Sequence, residues 1–217
     1  MLLYLVRHGR SIGNLERLYQ APNTLLAPEG EVQAGQLAER LKDTDINEIW
    51  SSPYTRAHHT AEIINQYHNV TIKKVHELHE TDRPSSFWNK KFDDPAMLPL
   101  QKYRWEDRLD DLTYRYQDAE SFTDVVDRAK KAMAMLEQHA AEVPDDHLLL
   151  MTSHGDFLRV FLMCLLMGHD AAPAVLVKPL HHLHLSNTGL SVATYGLHHW
   201  TKTTEWTVSS INDSTHL

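Results

Sequence analysis

Three apolar runs in the sequence are each followed by basic side chains. Arg7 and His8 follow the first run, His154 follows a later one, and Arg56 lies just after a third. Short apolar runs of this kind are typical of strands buried on both faces of a sheet. Ligands of open α/β sheets bind outside the carboxyl ends of the strands. If the three strands are parallel neighbours, we therefore expect the four side chains to share one crevice.

Such a crevice has the chemistry of a phosphoryl-binding site. Two guanidinium groups stay charged and present planar forks that match phosphate oxygens. Gly9 and Gly155 follow the two histidines and let backbone amides approach a ligand, and a helix beginning near Gly155 would add its N-terminal amides. The cations also lower the pKa of a neighbouring imidazole, which keeps a lone pair available for attack on phosphorus. We therefore predict a dianionic phosphoryl ligand.

The elements that must position these residues alternate between strands and helices. We predict strands at Leu2–Val6, Ile46–Trp50, Val70–Val75, Leu148–Met151, Leu183–Leu185, Leu190–Tyr195 and Glu205–Val208, and helices after Pro28, over Arg56–Tyr67, from Ser121 to Ala140 and over Asp156–Met167. This alternation predicts an α/β fold, a three-layer α/β/α sandwich around a mostly parallel mixed sheet. We expect a single domain over residues 1–217. Its residues 81–119, rich in proline and aromatic side chains, would form a cap insertion.

Seven short motifs occur in order along nearly the whole chain. They are Leu5–Asn14 (LVRHGRSIGN), Leu26–Gly30 (LAPEG), Ser51–Ala57 (SSPYTRA), Leu78–Glu80 (LHE), Ala119–Ser121 (AES), Ser153–Gly155 (SHG) and Asn187–Gly189 (NTG). Together they resemble the signature of the histidine phosphatase superfamily, also called the phosphoglycerate mutase-like family. An arginine-histidine-glycine triplet alone is weak evidence, whereas the ordered set is specific.

The resemblance implies a catalytic role for each matching residue. His8 would be the nucleophile that forms a phosphohistidine, and Arg7, Arg56 and His154 would bind the phosphoryl oxygens. Glu80, at the family's leucine-x-glutamate position, would protonate the leaving oxygen and then activate water.

The same resemblance implies that Ser11 and Asn14, in the loop after the nucleophile, support the phosphate pocket, to which Gly155 would add its backbone amide. No cofactor and no metal ion are implied. Glu77 lies close enough to Glu80 in the sequence that the assignment of the acid depends on spacing alone.

Two positions depart from the family pattern. Ala27 stands where threonine usually precedes the helix, so we expect a lost N-cap worth about 1 kcal/mol. After Glu80 the chain reads Thr81-Asp82-Arg83-Pro84-Ser85, without the arginine-histidine-tyrosine-glycine of cofactor-dependent phosphoglycerate mutases. This favours a histidine acid-type phosphatase that hydrolyses small phosphorylated metabolites. The alternatives are a cofactor-dependent phosphoglycerate mutase and a non-catalytic binding protein on a phosphatase fold.

Composition indicates which classes of partner and which cellular compartment to expect. The net charge of −8 argues against nucleic-acid binding. Cys164 is the single cysteine, which fits a reducing compartment, and no segment has the pattern of a signal peptide or a membrane span. We expect a cytoplasmic protein with a small phosphorylated substrate and no nucleic-acid or membrane partner. The sequence predicts neither the oligomeric state nor the identity of the substrate.

The chain has sixteen histidines, a number that suggests metal binding. The stretch from His181 to His184 contains a His-x-His element, but no cysteine or carboxylate pattern accompanies it. His76 and His79 are three residues apart, whereas the zinc helix motif requires four. We therefore predict no metal site and assign the fourteen histidines other than His8 and His154 to the surface and loops.

Overall fold

The molecule is built around a six-stranded mixed sheet, seen in a computed structural model that describes residues 1–97 and 110–217. The strands are β1 (Leu2–Arg7), β2 (Glu48–Ser51), β3 (Ile72–Lys74), β4 (Leu148–Ser153), β5 (Leu190–Leu197) and β6 (Thr204–Asp213). Their order across the sheet is β3-β2-β4-β1-β5-β6. The first four in this order are parallel, and β5 and β6 pair antiparallel at one side. The predicted mixed sheet with antiparallel strands at an edge is confirmed.

Helices cover both faces of the sheet. They are α1 (Ile12–Leu15), α2 (Pro28–Leu41), α3 (Thr55–Asn65), α4 (Phe122–Ala140), α5 (Gly155–Met167) and α6 (Pro173–Leu180). Successive residues of a strand point to opposite faces, so Leu149 and Met151 of β4 pack with α4–α6, and Leu148 and Leu150 pack with α2 and α3. The three-layer sandwich is thus confirmed. Among the described residues, no helix combines the length and apolar character needed to cross a bilayer.

The register of the two central strands brings their carboxyl ends together. β1 and β4 are parallel neighbours, with Leu5 opposite Met151 and Arg7 opposite Ser153. The residues that follow each strand therefore leave the sheet at the same edge. β2 pairs with β4 on the other side, and α3 follows it after a short turn, so the start of α3 also lies at this edge.

Two helix starts test the local sequence signals. α2 begins with Pro28 in its first turn, and Ala27 before it makes no side-chain cap, as predicted. α4 begins with the predicted capping box, in which Ser121 accepts from the amide of Asp124 at 3.2 Å and the Asp124 carboxylate accepts from the amide of Ser121 at 2.8 Å.

The predicted strand at Leu183–Leu185 is wrong. The chain before it forms helix α6, which begins at Pro173 and buries Leu176 and Leu180 on one side. These two leucines have the spacing of a helix face, and Pro173 sits in the first turn, where proline is favoured. The carbonyl of Leu185 accepts a hydrogen bond from Arg7 Nη1 at 2.5 Å instead of joining a strand ladder.

The described part of the predicted cap comprises residues 81–97 and 110–119. It contains a 3₁₀ turn at Ser85–Phe87, and Phe87 and Met97 are buried against Tyr19. Pro99, Tyr103 and Trp105 of the predicted cap lie outside the described residues. The bounds of the cap and of the single domain stay predictions.

Candidate active site

His8 and His154 lie side by side beyond the carboxyl ends of β1 and β4. Their ring centroids are 5.1 Å apart, and the ring planes are inclined by 61°. Both side chains are buried, and the His8 amide donates to the carbonyl of Ser153 at 2.9 Å. The pairing of the two strands thus continues to the residue at which the side chains turn into the site.

Hydrogen bonding sets the tautomer of His8. Its Nδ1 lies 2.7 Å from the carbonyl oxygen of Gly9, and because a carbonyl can only accept, Nδ1 carries the proton. The lone pair is then on Nε2, to which Arg56 Nε donates at 3.2 Å. Burial, Arg56 and Arg7 hold the pKa of His8 well below its ordinary value. His8 is therefore neutral at neutral pH, the form that a nucleophile requires.

Arg56 reaches His8 from the first turn of α3. Its buried side chain also donates from Nη1 to the carbonyl of Ala21 at 3.1 Å. Burial lowers the pKa of Arg56 to about 10, so the guanidinium stays charged at neutral pH. One turn later Thr60 Oγ1 donates to the carbonyl of Arg56 at 2.7 Å and accepts from the amide of Gly9 at 3.1 Å. This threonine ties the loop after β1 to α3.

Arg7, the last residue of β1, keeps a buried donor without a partner. Its Nε makes no hydrogen bond to any residue in the described ranges, while Nη1 is held by Leu185. A Cβ added at Gly155 would lie 3.1 Å from this Nε, so the glycine allows α5 to begin close to the guanidinium. An unpaired buried N–H is costly, and an anion in the site would satisfy it.

His154 precedes α5 and faces the turn after β2. Its Nε2 lies 2.8 Å from Ser52 Oγ, and its Nδ1 is buried without a hydrogen bond to the described residues. Burial and the nearby Arg56 hold the pKa of His154 well below its ordinary value. The ring of Tyr54 packs edge-on against the His154 ring at 5.3 Å between centroids.

Glu80 lines a cavity at this edge of the sheet, together with Arg7 and Arg56, and contacts the N-terminus of α5. Its carboxylate accepts from the amides of Phe157 at 3.0 Å and Asp156 at 3.4 Å. Burial and the neighbouring Asp156 raise the pKa of Glu80, which favours a carboxyl group able to carry a proton. Glu77 does not line the cavity, and its carboxylate pairs with Lys131. Of the two glutamates, Glu80 is therefore the one that lines the cavity.

Arg128 positions the segment that ends at Glu80, a role that was not predicted from the sequence. Its guanidinium makes two hydrogen bonds of 2.7 Å to the Glu120 carboxylate. Nη1 donates to the carbonyls of Glu77 at 2.9 Å and His79 at 2.8 Å. The sequence did contain one indication of this role. Arg128 lies three residues after Val125, and therefore near the face of α4 that was expected to be apolar, where a charged side chain needs a partner.

His79 is buried, so its assignment to the surface was wrong. It follows a 3₁₀ turn that packs on the core, with Nδ1 2.6 Å from the carbonyl of His76 and Nε2 3.3 Å from Asp82 Oδ2. Asp82 also accepts from the hydroxyl of Tyr54 at 2.8 Å. These contacts join the segment after Glu80 to the start of α3.

Ser11 and Asn14 form the start of α1. Ser11 Oγ accepts from the Asn14 amide at 3.1 Å, and Asn14 Oδ1 accepts from the Ser11 amide at 3.1 Å. Asn14 lines the cavity, whereas Ser11 is fully buried and lies 2.6 Å, Oγ to Oε1, from Gln20. Asn187 donates to the carbonyl of His8 at 2.9 Å. Asn14 is thus placed to reach a ligand, and Ser11 holds the loop.

The cavity above these residues has a volume of about 310 Å³. Its polar part includes Arg7, Arg56, Glu80 and Gly155. Its other wall is apolar and mostly aromatic, formed by Leu18, Tyr19, Pro22, Trp88 and Phe92. A volume of this size suits a small ligand, with a charged end at the arginines and a carbon skeleton against the rings.

Comparisons with known proteins agree with the resemblance seen in the sequence. The model of the histidine phosphatase superfamily (branch 1) matches residues 3–207. The probable phosphoglycerate mutase GpmB of Citrobacter koseri is 32% identical over an alignment of 218 positions. The alignment covers 99% of this chain and 94% of the relative.

Solved structures show the same fold at lower identity. The alpha-ribazole phosphatase from Shigella flexneri superposes with a TM-score of 0.78 at 21% identity, over 99% of this chain and 97% of that one. The phosphoserine phosphatase from Entamoeba histolytica in complex with 3-phosphoglyceric acid gives a TM-score of 0.73 at 20% identity, over 99% and 98% of the two chains.

Proposed function

The chain belongs to the histidine phosphatase superfamily (branch 1), and we propose that it is a phosphomonoesterase that hydrolyses small phosphorylated metabolites through a phosphohistidine on His8. One observation carries the proposal. The unprotonated Nε2 of a neutral, buried His8 faces Arg56 at 3.2 Å, and Arg56 lines a cavity together with Arg7 and Glu80. This combination supplies a nucleophile, two cations for the phosphoryl oxygens and an acid for the leaving group.

In the first half-reaction His8 Nε2 attacks phosphorus, and the ester P–O bond breaks as the P–N bond forms. Arg7, Arg56 and His154 bind the phosphoryl oxygens, and their charges and dipoles stabilise the transition state. The carboxyl group of Glu80 gives its proton to the departing alkoxide, so the alcohol leaves neutral.

In the second half-reaction water attacks the phosphohistidine. The Glu80 carboxylate, now deprotonated, takes a proton from the water as the new P–O bond forms and the P–N bond breaks. Inorganic phosphate leaves and His8 returns to its neutral form. Phosphate monoester hydrolysis is among the slowest uncatalysed reactions, with enzymatic accelerations up to roughly 10²¹-fold, so charge stabilisation and positioning have to lower a very high barrier.

This chemistry needs no cofactor or metal ion, because His8, the arginines and Glu80 supply every group that the two steps use. The substrate is a small phosphate ester whose carbon skeleton contacts the aromatic wall of the cavity. Names of structural neighbours support this class, since they include alpha-ribazole and phosphoserine phosphatases. The buried free thiol of Cys164 fits the cytoplasmic location that we propose.

A cofactor-dependent phosphoglycerate mutase is the second candidate, because the relatives of this chain include probable phosphoglycerate mutases. A mutase would pass the phosphoryl group from His8 back to a hydroxyl of the substrate, and its turnover would depend on 2,3-bisphosphoglycerate. The segment Thr81–Ser85 departs from the mutase pattern, and in it Arg83 donates to Asp156 at 2.9 Å. We therefore favour hydrolysis.

The test is a panel of phosphorylated metabolites assayed for release of inorganic phosphate. Wild type should hydrolyse at least one member of the panel without 2,3-bisphosphoglycerate, and His8→Ala should lose this activity. His59→Ala is a matched control, because His59 is a partly exposed histidine of α3 that lies near Glu31 and is not among the residues lining the cavity. It should retain wild-type rates.

Three outcomes would contradict the proposal. Near wild-type hydrolysis by His8→Ala would exclude the phosphohistidine route. Strict dependence on 2,3-bisphosphoglycerate with an isomerised phosphate ester as product would establish the mutase. Binding of phosphate esters without any turnover would favour the non-catalytic binding protein.

A further inference from the structure

Three potential metal ligands meet at the end of the sheet away from His8. Glu48 is the first residue of β2, His147 immediately precedes β4, and His139 lies in the last turn of α4. β2 and β4 are parallel neighbours with Glu48 opposite Leu149, so their amino ends bring Glu48 and His147 together. The end of α4 adds His139 from the adjoining helical layer.

The three ligand atoms have nearly the spacing of a zinc site. His139 Nε2 lies 2.9 Å and His147 Nε2 lies 3.9 Å from the same oxygen, Glu48 Oε2. All three atoms are within 4.8 Å of one another. A tetrahedral ion with bonds of about 2.0–2.1 Å holds its ligand atoms about 3.3 Å apart. Side-chain rotations that move these atoms by about 1 Å would complete the geometry.

The hydrogen bonding around the cluster leaves both imidazoles unsatisfied. The Nε2 atoms of His139 and His147 are buried and make no well-directed hydrogen bond to any residue in the described part of the chain. Both atoms nevertheless face a carboxylate oxygen. Two imidazole nitrogens and a carboxylate oxygen that converge in this way are satisfied together by a cation when each nitrogen presents its lone pair to the ion.

The carboxylate is held in the orientation that this arrangement requires. Trp50 Nε1 donates to Glu48 Oε1 at 2.7 Å, which leaves Oε2 turned toward the two imidazoles. Outer hydrogen bonds of this kind orient the ligands of protein metal sites.

We propose that Glu48, His139 and His147 bind a divalent ion of the zinc class, with the remaining coordination position left to water. The three side chains are 15–21% exposed, which gives a solvated ion access to the cluster. Two imidazoles and one carboxylate suit zinc and its transition-metal neighbours, whereas magnesium prefers oxygen ligands alone.

The proposed site is separate from the phosphoryl chemistry. β4 runs from beside His147 to beside His154, a separation of seven residues or about 23 Å along a strand. A bound ion would therefore join the end of α4 to the starts of β2 and β4, and would stabilise the folded chain by binding only when these elements are assembled.

The test measures zinc binding by titration calorimetry, with cobalt absorption as a second signal that reports nitrogen and oxygen ligands directly. Wild type should bind one ion at this site, and zinc should raise its melting temperature. His147→Ala should bind zinc at least tenfold more weakly and lose the rise in melting temperature. His182→Ala removes an exposed histidine of the other His-rich segment and should behave like wild type.

Glu48→Gln is a second variant that changes the carboxylate while retaining an oxygen for Trp50. Circular dichroism would verify that each variant is folded, and a folded Glu48→Gln should show the same loss of zinc affinity. Equal zinc affinity in wild type, His147→Ala and Glu48→Gln would overturn the proposal. So would a loss of binding confined to His182→Ala, or binding of magnesium as tight as that of zinc.

Discussion

The reactivity that we propose for His8 comes from the groups around its ring. The Gly9 carbonyl places the proton on Nδ1, and Arg56 and Arg7 oppose a second proton on the ring. The same cations that keep the imidazole neutral stabilise negative charge on the transferring phosphoryl group. Glu80 has the opposite bias, because burial and Asp156 favour its protonated form. Environments that shift the pKa values of two titrating groups in opposite directions are typical of an acid and a nucleophile that work together.

At the residue scale, Glu80→Gln should act through the leaving group. We expect kcat/KM for an alkyl phosphate to fall about 10²–10⁴-fold, because the alkoxide needs a proton. The value for p-nitrophenyl phosphate should fall far less, since its phenolate leaves without one. Glu77→Gln is the matched control and should leave both values near wild type. An equal loss of kcat/KM on the two substrates would rule out the acid role.

The pH profile of kcat/KM should be bell-shaped, after correction for the ionisation of the substrate. The rate should rise as pH increases through the lowered pKa of His8, since the ring must lose its proton to attack. It should fall as pH increases through the raised pKa of Glu80, since the carboxyl group has then lost the proton that it must donate. Glu80→Gln should lose the fall on the alkaline side. If that fall persisted unchanged in Glu80→Gln, it would belong to another group.

At the scale of elements, the site depends on how closely the loop after β1 packs on the start of α2. A Cβ at Gly9 would lie 2.4 Å from the carbonyl oxygen of Gly30, and a Cβ at Gly30 would lie 1.9 Å from that of Arg10. Side chains cannot be accommodated at either position without moving backbone. The sequence showed both glycines within motifs, but only the three-dimensional contact explains why they are needed.

Two glycines of α2 provide a matched pair of substitutions. Gly30→Ala should displace the loop that carries His8 and lower kcat/KM at least tenfold, since small misplacements in an active site can cost about 10²-fold. A Cβ added at Gly35 would meet no neighbouring atom within 4 Å, so Gly35→Ala should stabilise the helix by about 0.5–1 kcal/mol and leave kcat/KM unchanged. Thermal melts and steady-state kinetics measure both effects. Wild-type kinetics in Gly30→Ala would show that the close packing is not required.

At the scale of the whole molecule, the sheet separates two clusters of titratable side chains. The carboxyl ends of its parallel strands carry a cavity lined by three arginines and three carboxyl groups, in a chain whose net charge is −8. Individual arginines, and not a net positive charge of the cavity, are therefore what would bind a phosphoryl group. The amino ends of β2 and β4, with the end of α4, carry Glu48, His139 and His147.

Much of this arrangement could be predicted from the sequence because it depends on local patterns. Apolar runs identified the central strands, and the residues directly after them, among them His8 and His154, are the ones that meet. The prediction failed where position depends on distant contacts. Arg128 and the cluster around Glu48 join residues far apart in the sequence, and the segment at Leu185 contacts Arg7 where a strand was expected.

The most direct test of the account is the isolation of the covalent intermediate. Wild type mixed rapidly with p-nitrophenyl phosphate and quenched in denaturant at alkaline pH should gain the mass of one phosphoryl group. Peptide mapping should locate an acid-labile adduct on His8, and His8→Ala should gain none. Steady turnover by wild type with the phosphoryl group on another residue, or an adduct of the same yield in His8→Ala, would contradict the mechanism.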